Sequence, residues 1–481
     1  MTLRAPLACV ALAALSGAAG AHSFGERYDL PAPLAYFVAG GAAVVALSFV
    51  VAALIARSNA SPAGGARLRA GLLLPSFGLV LRVLGLALFV AVLVAGFAGS
   101  RNPEANLAPT LVWIVWWVGL SLLTACCANV WPALDPWRTL FDIADALAQR
   151  IGRTRGLALD RSYPAALGVW PATVLLLAWS WFEVIYLKSS VPAQIAGVAA
   201  GWSVVTLAGM YLFGPATWQR HGDVFAVYFA TLGRFAPLAR DGADIVVRPW
   251  GRALTATGAL PAGTAGFVLA MLSTVLFDGL LGGEPWGLLQ RALAQGLGAL
   301  ADDNGYVVGT LGLAGSWLVL LAAFVAACAL TRRLAGGGEA TMMARRFALT
   351  LVPIAVAYLV AHNFANLLIQ GQLIIRLASD PFGLKWDLFG TAGFEPDIGI
   401  VDARITWYVA ITAIVVGHVI SVWLAHRVAL EEFASPRRAI VASIPLTVLM
   451  VVYTAISLSV MAEPLVEFRA TEATVLPAAA R

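Results

Sequence analysis

Lysine is almost missing from this chain: Lys188 and Lys385 are the only two, and all charged residues together make up 12% of its 481 positions. A soluble domain carries about twice that share, so a water-facing surface of ordinary composition is excluded for most of the length. The local patterns that announce familiar enzymes are missing as well. There is no H-E-x-x-H, no G-x-S-x-G, no phosphate-cradling G-x-x-x-x-G-K-[ST] and no C-x-x-C-H, so zinc peptidase, serine hydrolase, ATPase and c-type cytochrome chemistry lose their usual signatures. The four cysteines, Cys9, Cys126, Cys127 and Cys328, form no C-x-x-C pair; the last three read as small apolar residues within spans. No internal repeat is evident, so the symmetry of many transporters is not visible.

What is abundant is hydrocarbon. Residues of hydrophobic type make up 60% of the sequence, and they gather into ten stretches long enough to cross a bilayer core of about 30 Å. These are Pro33–Ala56, Gly78–Ala98, Pro109–Trp131, Ala165–Leu187, Pro192–Gly214, Leu260–Leu281, Val307–Leu330, Phe347–Gln370, Ile405–Ala425 and Ile440–Met461. The expected fold is all-α, a polytopic transmembrane helical bundle of about ten spans after a cleaved signal peptide. Residues 1–21 read as that signal: Arg4, an apolar run from Ala5 to Leu15, and Ala19-Gly20-Ala21 as the cleavage pattern. The alternative is an uncleaved anchor. Cleavage makes His22 the new amino terminus, with residues 22–462 as the membrane domain and 463–481 as a periplasmic tail.

Arginine distribution orients the bundle. With the mature terminus outside, the inner connections carry twenty basic residues and the outer ones nine, which places both termini in the periplasm of an inner-membrane protein. The net charge of +5 is spread through these loops and implies no nucleic acid partner; the partner it implies is the lipid bilayer. Oligomeric state is left open by the sequence. Two inner connections, Pro136 to Arg150 and Trp218 to Phe235, place apolar residues at helical spacing among charges and read as interfacial struts. His221 in the second reads as solvated. The outer connection Gly371 to Arg404, with Trp386 and Asp387, is long enough for a lid.

Charged and imidazole groups inside lipid are costly, so those that remain there point to function. They are Glu183, Asp278, His362 and His418, with Asn363, Asn366 and Gln370 along the His362 helix. At 1.5 Å per residue, Glu183 and Asp278 sit about 5–6 Å and His362 about 12 Å from the outer ends of their spans, close enough for one outer-leaflet cavity. His362, Asn363, Asn366 and Gln370 form a stripe on one helix face. Plainer readings stand beside these: Asp278 facing water or capping a helix, Glu183 at the rim, His418 as an interhelical hydrogen-bonding group and Arg82 snorkelling. The Gly197 to Gly201 G-x-x-x-G reads as a packing signal of low specificity.

The segments SFGERYDLP (Ser23 to Pro31), FGPATWQRHGDVFAVYFATLGRFAP (Phe213 to Pro237), LVPIAVAYLVAHNF (Leu351 to Phe364), SDPFGLKWDLFGTAG (Ser379 to Gly393) and GHVISVWLAHR (Gly417 to Arg427) resemble a group of bacterial multi-span inner-membrane proteins labelled fenitrothion hydrolase. The resemblance implies an organophosphate-degrading hydrolase: an apolar small-molecule phosphotriester attacked by water that a divalent metal ion or a His/carboxylate base activates. In that expectation Glu183, Asp278 and His362 are catalytic, His22 and His362 are metal ligands, and Asn363, Asn366, Gln370, Trp386 and Asp387 line the substrate site. The rival expectation is a transporter or permease for an ion or small solute, with His362 and His418 as successive stations.

Overall fold

The computed structural model describes residues 32–55, 66–69, 73–153, 156–242, 244–255, 260–336, 340–433 and 435–462. The expected signal peptide, the His22 terminus and the tail from 463 lie outside the described residues. The chain is an all-α bundle, and among the described residues nine helices are long and apolar enough to cross a membrane. In chain order the elements used below are α1 (Leu34–Ile55), β1 (Ala66–Arg69), α2 (Leu73–Ala98), α3 (Leu107–Cys126), α4 (Pro136–Arg150), α5 (Trp170–Val184), α6 (Pro192–Phe213), α7 (Val224–Gly233), β2 (Leu238–Asp241), β3 (Asp244–Val247), α8 (Thr264–Leu281), α9 (Tyr306–Ala335), α10 (Val352–Gln370), α11 (Ala403–Glu432) and α12 (Pro436–Ala462).

Helices that are apolar on every face must sort by what surrounds them. On α1, α2 and α9 the aliphatic side chains Leu47, Leu54, Leu79, Val83 and Val319 point outward, a surface that water disfavours and hydrocarbon accepts. By contrast α8 and the first half of α10 are buried almost throughout, so these two form the centre. Around them α10 packs along α11, α1 lies against α11 and α12, and α2 lies against α6. The expected span Ala165–Leu187 is a helix of only 15 residues, α5, about 22 Å long.

One expectation fails usefully. The supposed strut Trp218 to Phe235 breaks after the short helix Pro215–His221, and α7 beyond it is buried in the protein, with Val224, Phe225, Phe229 and Leu232 at most 1% exposed. The charges that suggested an amphipathic surface helix flank this segment; Val224 to Gly233 carries none. Asp223 caps it by accepting the Ala226 N–H at 2.9 Å, worth roughly 1 kcal/mol. Other details also differ. His221 is stacked on Tyr163, with ring centroids 5.0 Å apart, rather than solvated. Cys126 and Cys127, at the end of α3, are exposed, and among the described residues only the Cys328 thiol is buried. Arg82 pairs with Asp142 on α4 at 2.9 Å.

A three-stranded sheet in the order β1-β3-β2, antiparallel throughout, closes one end of the bundle, called here the sheet end. Beside it Asp135 caps α4 and accepts from Gln219 at 2.6 Å. Both Asp135 and Asp223 are 1% exposed. Burial pushes the Asp135 carboxyl up to about 6, against hydrogen bonds that oppose it. Burial, with the Asp135 charge added, pushes Asp223 up to about 7. Folded carboxyls whose pKa is raised hold protons that the unfolded chain has released, so this pair costs stability as pH rises from about 4 through 7. Thermal unfolding in detergent is therefore expected to move down by several degrees between pH 5 and pH 8. Asp223→Asn, which keeps the helix cap, should remove at least half of that drop; an equal drop in the variant refutes the assignment.

Candidate functional site

Three helices each contribute one costly side chain to a single cavity. His362 on α10 and Asp278 on α8 meet with Nε2 and Oδ2 2.7 Å apart, each side chain about one third exposed to the cavity. Glu183 on α5 lies beside the Trp117 indole and near Asp278. The cavity holds about 40 Å3 of water-accessible space and is also lined by Ser180, Tyr228, Thr274 and Asn363. That is room for a water molecule or two.

Local sequence explains the aim of each group. Ser180 precedes Glu183 by three residues and Thr274 precedes Asp278 by four, so each hydroxyl shares its carboxylate's helix face. In the middle of α3, residues Thr110–Gly119 take the wider i to i+5 hydrogen-bonded turn of a π-helix, ended by Leu120 N–H donating to Val115 C=O. Segments of this kind are frequently found at functional sites. Here it sets Trp116 and Trp117 side by side over two different cavities. From the sheet end, Tyr228 and Leu232 of the buried α7 form the floor. Tyr228 stacks on Trp117 at 4.8 Å and lies near Ser121 and Glu183.

With Asp278 ionised, Nε2 of His362 carries the proton it donates to Oδ2. Its Nδ1 then offers a lone pair to the cavity. An imidazole paired with one carboxylate, with a second carboxylate near that one, can take up, hold and pass on a proton. Among the described residues no group of three or more His, Cys, Asp or Glu side chains is close enough to hold a metal ion. The cluster therefore fits acid–base chemistry better than the ligand set expected for a divalent metal, and His22 lies outside the described residues.

The other expected site residues are elsewhere. Asn363 lines the cavity, but Asn366 and Gln370, one and two turns on, are exposed. Trp386 packs edge-on against Phe382 and Asp387 accepts the Ala392 N–H. The 371–404 loop is docked on the turn after α2, where Ser100 N–H donates to Phe382 C=O, and none of its residues lines the cavity. His418 is fully buried, with Nδ1 2.7 Å from the Ile414 carbonyl oxygen of its own helix and Nε2 unpartnered among the described residues. It does not reach the His362 cavity. His426 is equally buried, against Ser443 and Phe49. Tyr228 and Trp117 were not anticipated; the uncharged run between Asp223 and Arg234 was the signal that α7 belongs inside.

Across the Trp116–Trp117 wall lies a second cavity of about 130 Å3, bounded by Leu88, Trp131, Trp137, Trp179, Trp202 and Phe225 among others. Its lining is apolar, which suits hydrocarbon and not an ion. No family model, curated protein or solved structure matches this chain.

Proposed function

We propose that the chain is a ten-span inner-membrane protein that moves protons through the Glu183–Asp278–His362 cavity. The single supporting observation is the 2.7 Å His362–Asp278 contact in a cavity of about 40 Å3 lined by both polar and apolar side chains. Size separates the alternatives. Pockets for drug-sized substrates run to about 300–1,000 Å3, whereas protons need only ordered water and groups that titrate. In this reading an incoming proton carried by a cavity water as hydronium passes to Nδ1 of His362, leaving neutral water, and Asp278 holds the resulting imidazolium. Passage of that proton to Glu183 restores the neutral ring.

The orientation has support of its own. β1 precedes α2 and pairs with β3, which follows α7, so an even number of crossings must separate them. Helices α2, α3 and α6 are three, and α7, at about 15 Å, is too short to cross. Of the two 15-residue helices between the strands, α4 carries Arg138, Asp142, Asp145 and Arg150 while α5 carries only Glu183, which favours α5 as the fourth crossing. It starts where Val169 N–H donates to Ala262 C=O and ends beside Tyr306. The sheet end, with the arginine-rich connections, is then cytoplasmic, and both termini are periplasmic. Purified protein in liposomes with a trapped pH dye, under an imposed potassium diffusion potential, should carry proton flux above protein-free liposomes. Flux equal to that of protein-free liposomes overturns the proposal.

The apolar cavity beside the acid–base cluster favours one second reading, the hydrolase implied by the resemblance to the fenitrothion hydrolase group. An apolar phosphotriester would enter sideways from lipid, and His362 would deprotonate the attacking water while the phenolate leaves. Nitrophenol release from fenitrothion, assayed without metal and with individual divalent metals, tests it; no turnover under any condition removes it.

A further inference from the structure

At the sheet end a groove of about 830 Å3 runs between the start of α2, the end of α7 and the β2–β3 hairpin. One wall is hydrocarbon: Phe77, Leu79 and Leu81 of α2, the first two 57% and 64% exposed. The opposite side carries Arg234, Arg240 and Arg248. No Asp or Glu lines the groove, and no carboxylate pairs with these three arginines among the described residues. Arg82 also reaches the groove, but Asp142 already neutralises it.

The arginines are not equivalent. Arg248 holds the turn after α7, donating from Nε to Ala236 C=O at 3.1 Å and from Nη2 to Gly233 C=O at 2.8 Å. Arg240 donates from Nε to Gly242 C=O. The Arg234 guanidinium makes no hydrogen bond or ion pair with the described residues, the backbone N–H alone donating to Thr231 C=O, although the residue is only half-exposed. Burial pushes the Arg234 guanidinium below its ordinary value, and burial together with the Arg234 charge does the same to Arg248. Two guanidinium groups that crowd each other without a carboxylate between them call for an anion.

We infer that this groove binds an anionic phospholipid from the leaflet at the sheet end, its phosphate on Arg234 and Arg248 and its acyl chain along Phe77 and Leu79. The two halves of the groove match the two halves of that molecule: planar donors for the phosphate oxygens, and an outward aliphatic face continuous with the lipid-facing side of α2. A free phosphate would use only the first half. Basic pockets at helix ends on the inner leaflet side are suited to such headgroups. The inference is independent of what the central cavity does.

The test is native mass spectrometry of the delipidated full-length protein in detergent, titrated with dioleoylphosphatidylglycerol or dioleoylphosphatidylcholine. Phosphatidylglycerol should be retained preferentially, and Arg234→Gln should weaken it about tenfold, the loss of one charge-assisted phosphate contact. Arg332→Gln, which removes one charge from the end of α9 outside the groove, should leave binding unchanged. Arg234→Met, which also removes the charge but keeps the aliphatic stem, serves in place of Arg234→Gln if the latter does not give folded protein by circular dichroism. Equal retention of both lipids overturns the inference, and so does equal loss in Arg332→Gln, which would reduce it to general charge attraction. Competition by glycerol 1-phosphate at the same concentration as the lipid overturns it in favour of a free-phosphate site.

Discussion

In liposomes at equal protein content, His362→Ala is expected to carry proton flux no greater than protein-free membranes, a loss of roughly a hundredfold or more, the scale of removing a positioned acid–base group. Alanine deletes both ring nitrogens and leaves Asp278 without its 2.7 Å partner. Asp278→Asn is the informative companion. Its amide keeps the size of the side chain and can still accept from His362 Nε2, but it cannot hold an imidazolium by charge, so flux should fall without vanishing. Because the two groups touch, the double variant should be no worse than His362→Ala alone. Full flux in His362→Ala, with folded protein confirmed by size-exclusion chromatography, would sink the proposed path. The same three proteins assayed for nitrophenol release separate a failed proton path from a working hydrolase.

A large structural effect is expected at Gly417, one residue before His418 on α11, where the helix that carries His362 crosses closely. A Cβ there would lie 2.4 Å from the Ala357 Cβ and 2.8 Å from the Pro353 carbonyl oxygen of α10. Neither atom is the end of a flexible side chain, so the helices themselves must separate. Gly417→Ala should cost about 1–3 kcal/mol, the usual range for overpacking, and Gly417→Val more, read as a lower melting temperature and a smaller folded fraction on size exclusion. Since α10 also carries His362, flux should fall with it. Gly197→Ala and Gly201→Ala are the controls. Nothing lies within 4 Å of a Cβ at either, so both should be neutral or slightly stabilising through the helix preference of alanine. Destabilisation there equal to that at Gly417 would refute the packing account.

The contrast between these glycines shows where reading along the chain stops. Gly197 and Gly201 have the spacing associated with helix contacts, yet the structure leaves both open. Gly417 has no such partner in its own helix and is the close crossing. A spacing motif describes one helix face, whereas a close approach depends on which other helix arrives and at what angle. The same limit applies to α7. Its composition was visible, but whether ten apolar residues lie in the interface or inside the protein depends on the aromatic space that α3, α5 and α6 leave open around Phe225.

Single-residue transfer cost is a local property, so the sequence by itself determined nine of the ten expected spanning segments, how the arginines are distributed among their connections and that Glu183, Asp278 and His362 could meet at one level of the bundle. Depth follows from counting 1.5 Å steps along each helix. Azimuth does not, and only the tertiary structure decided that Asp278 and His362 face each other while Asn366 and Gln370 face away. It also decided that Tyr228 closes the cavity from below and that His418 spends its Nδ1 on its own helix. Pairing between distant helices depends on their rotation and packing, which are set by long-range contacts such as Gly417 against Ala357.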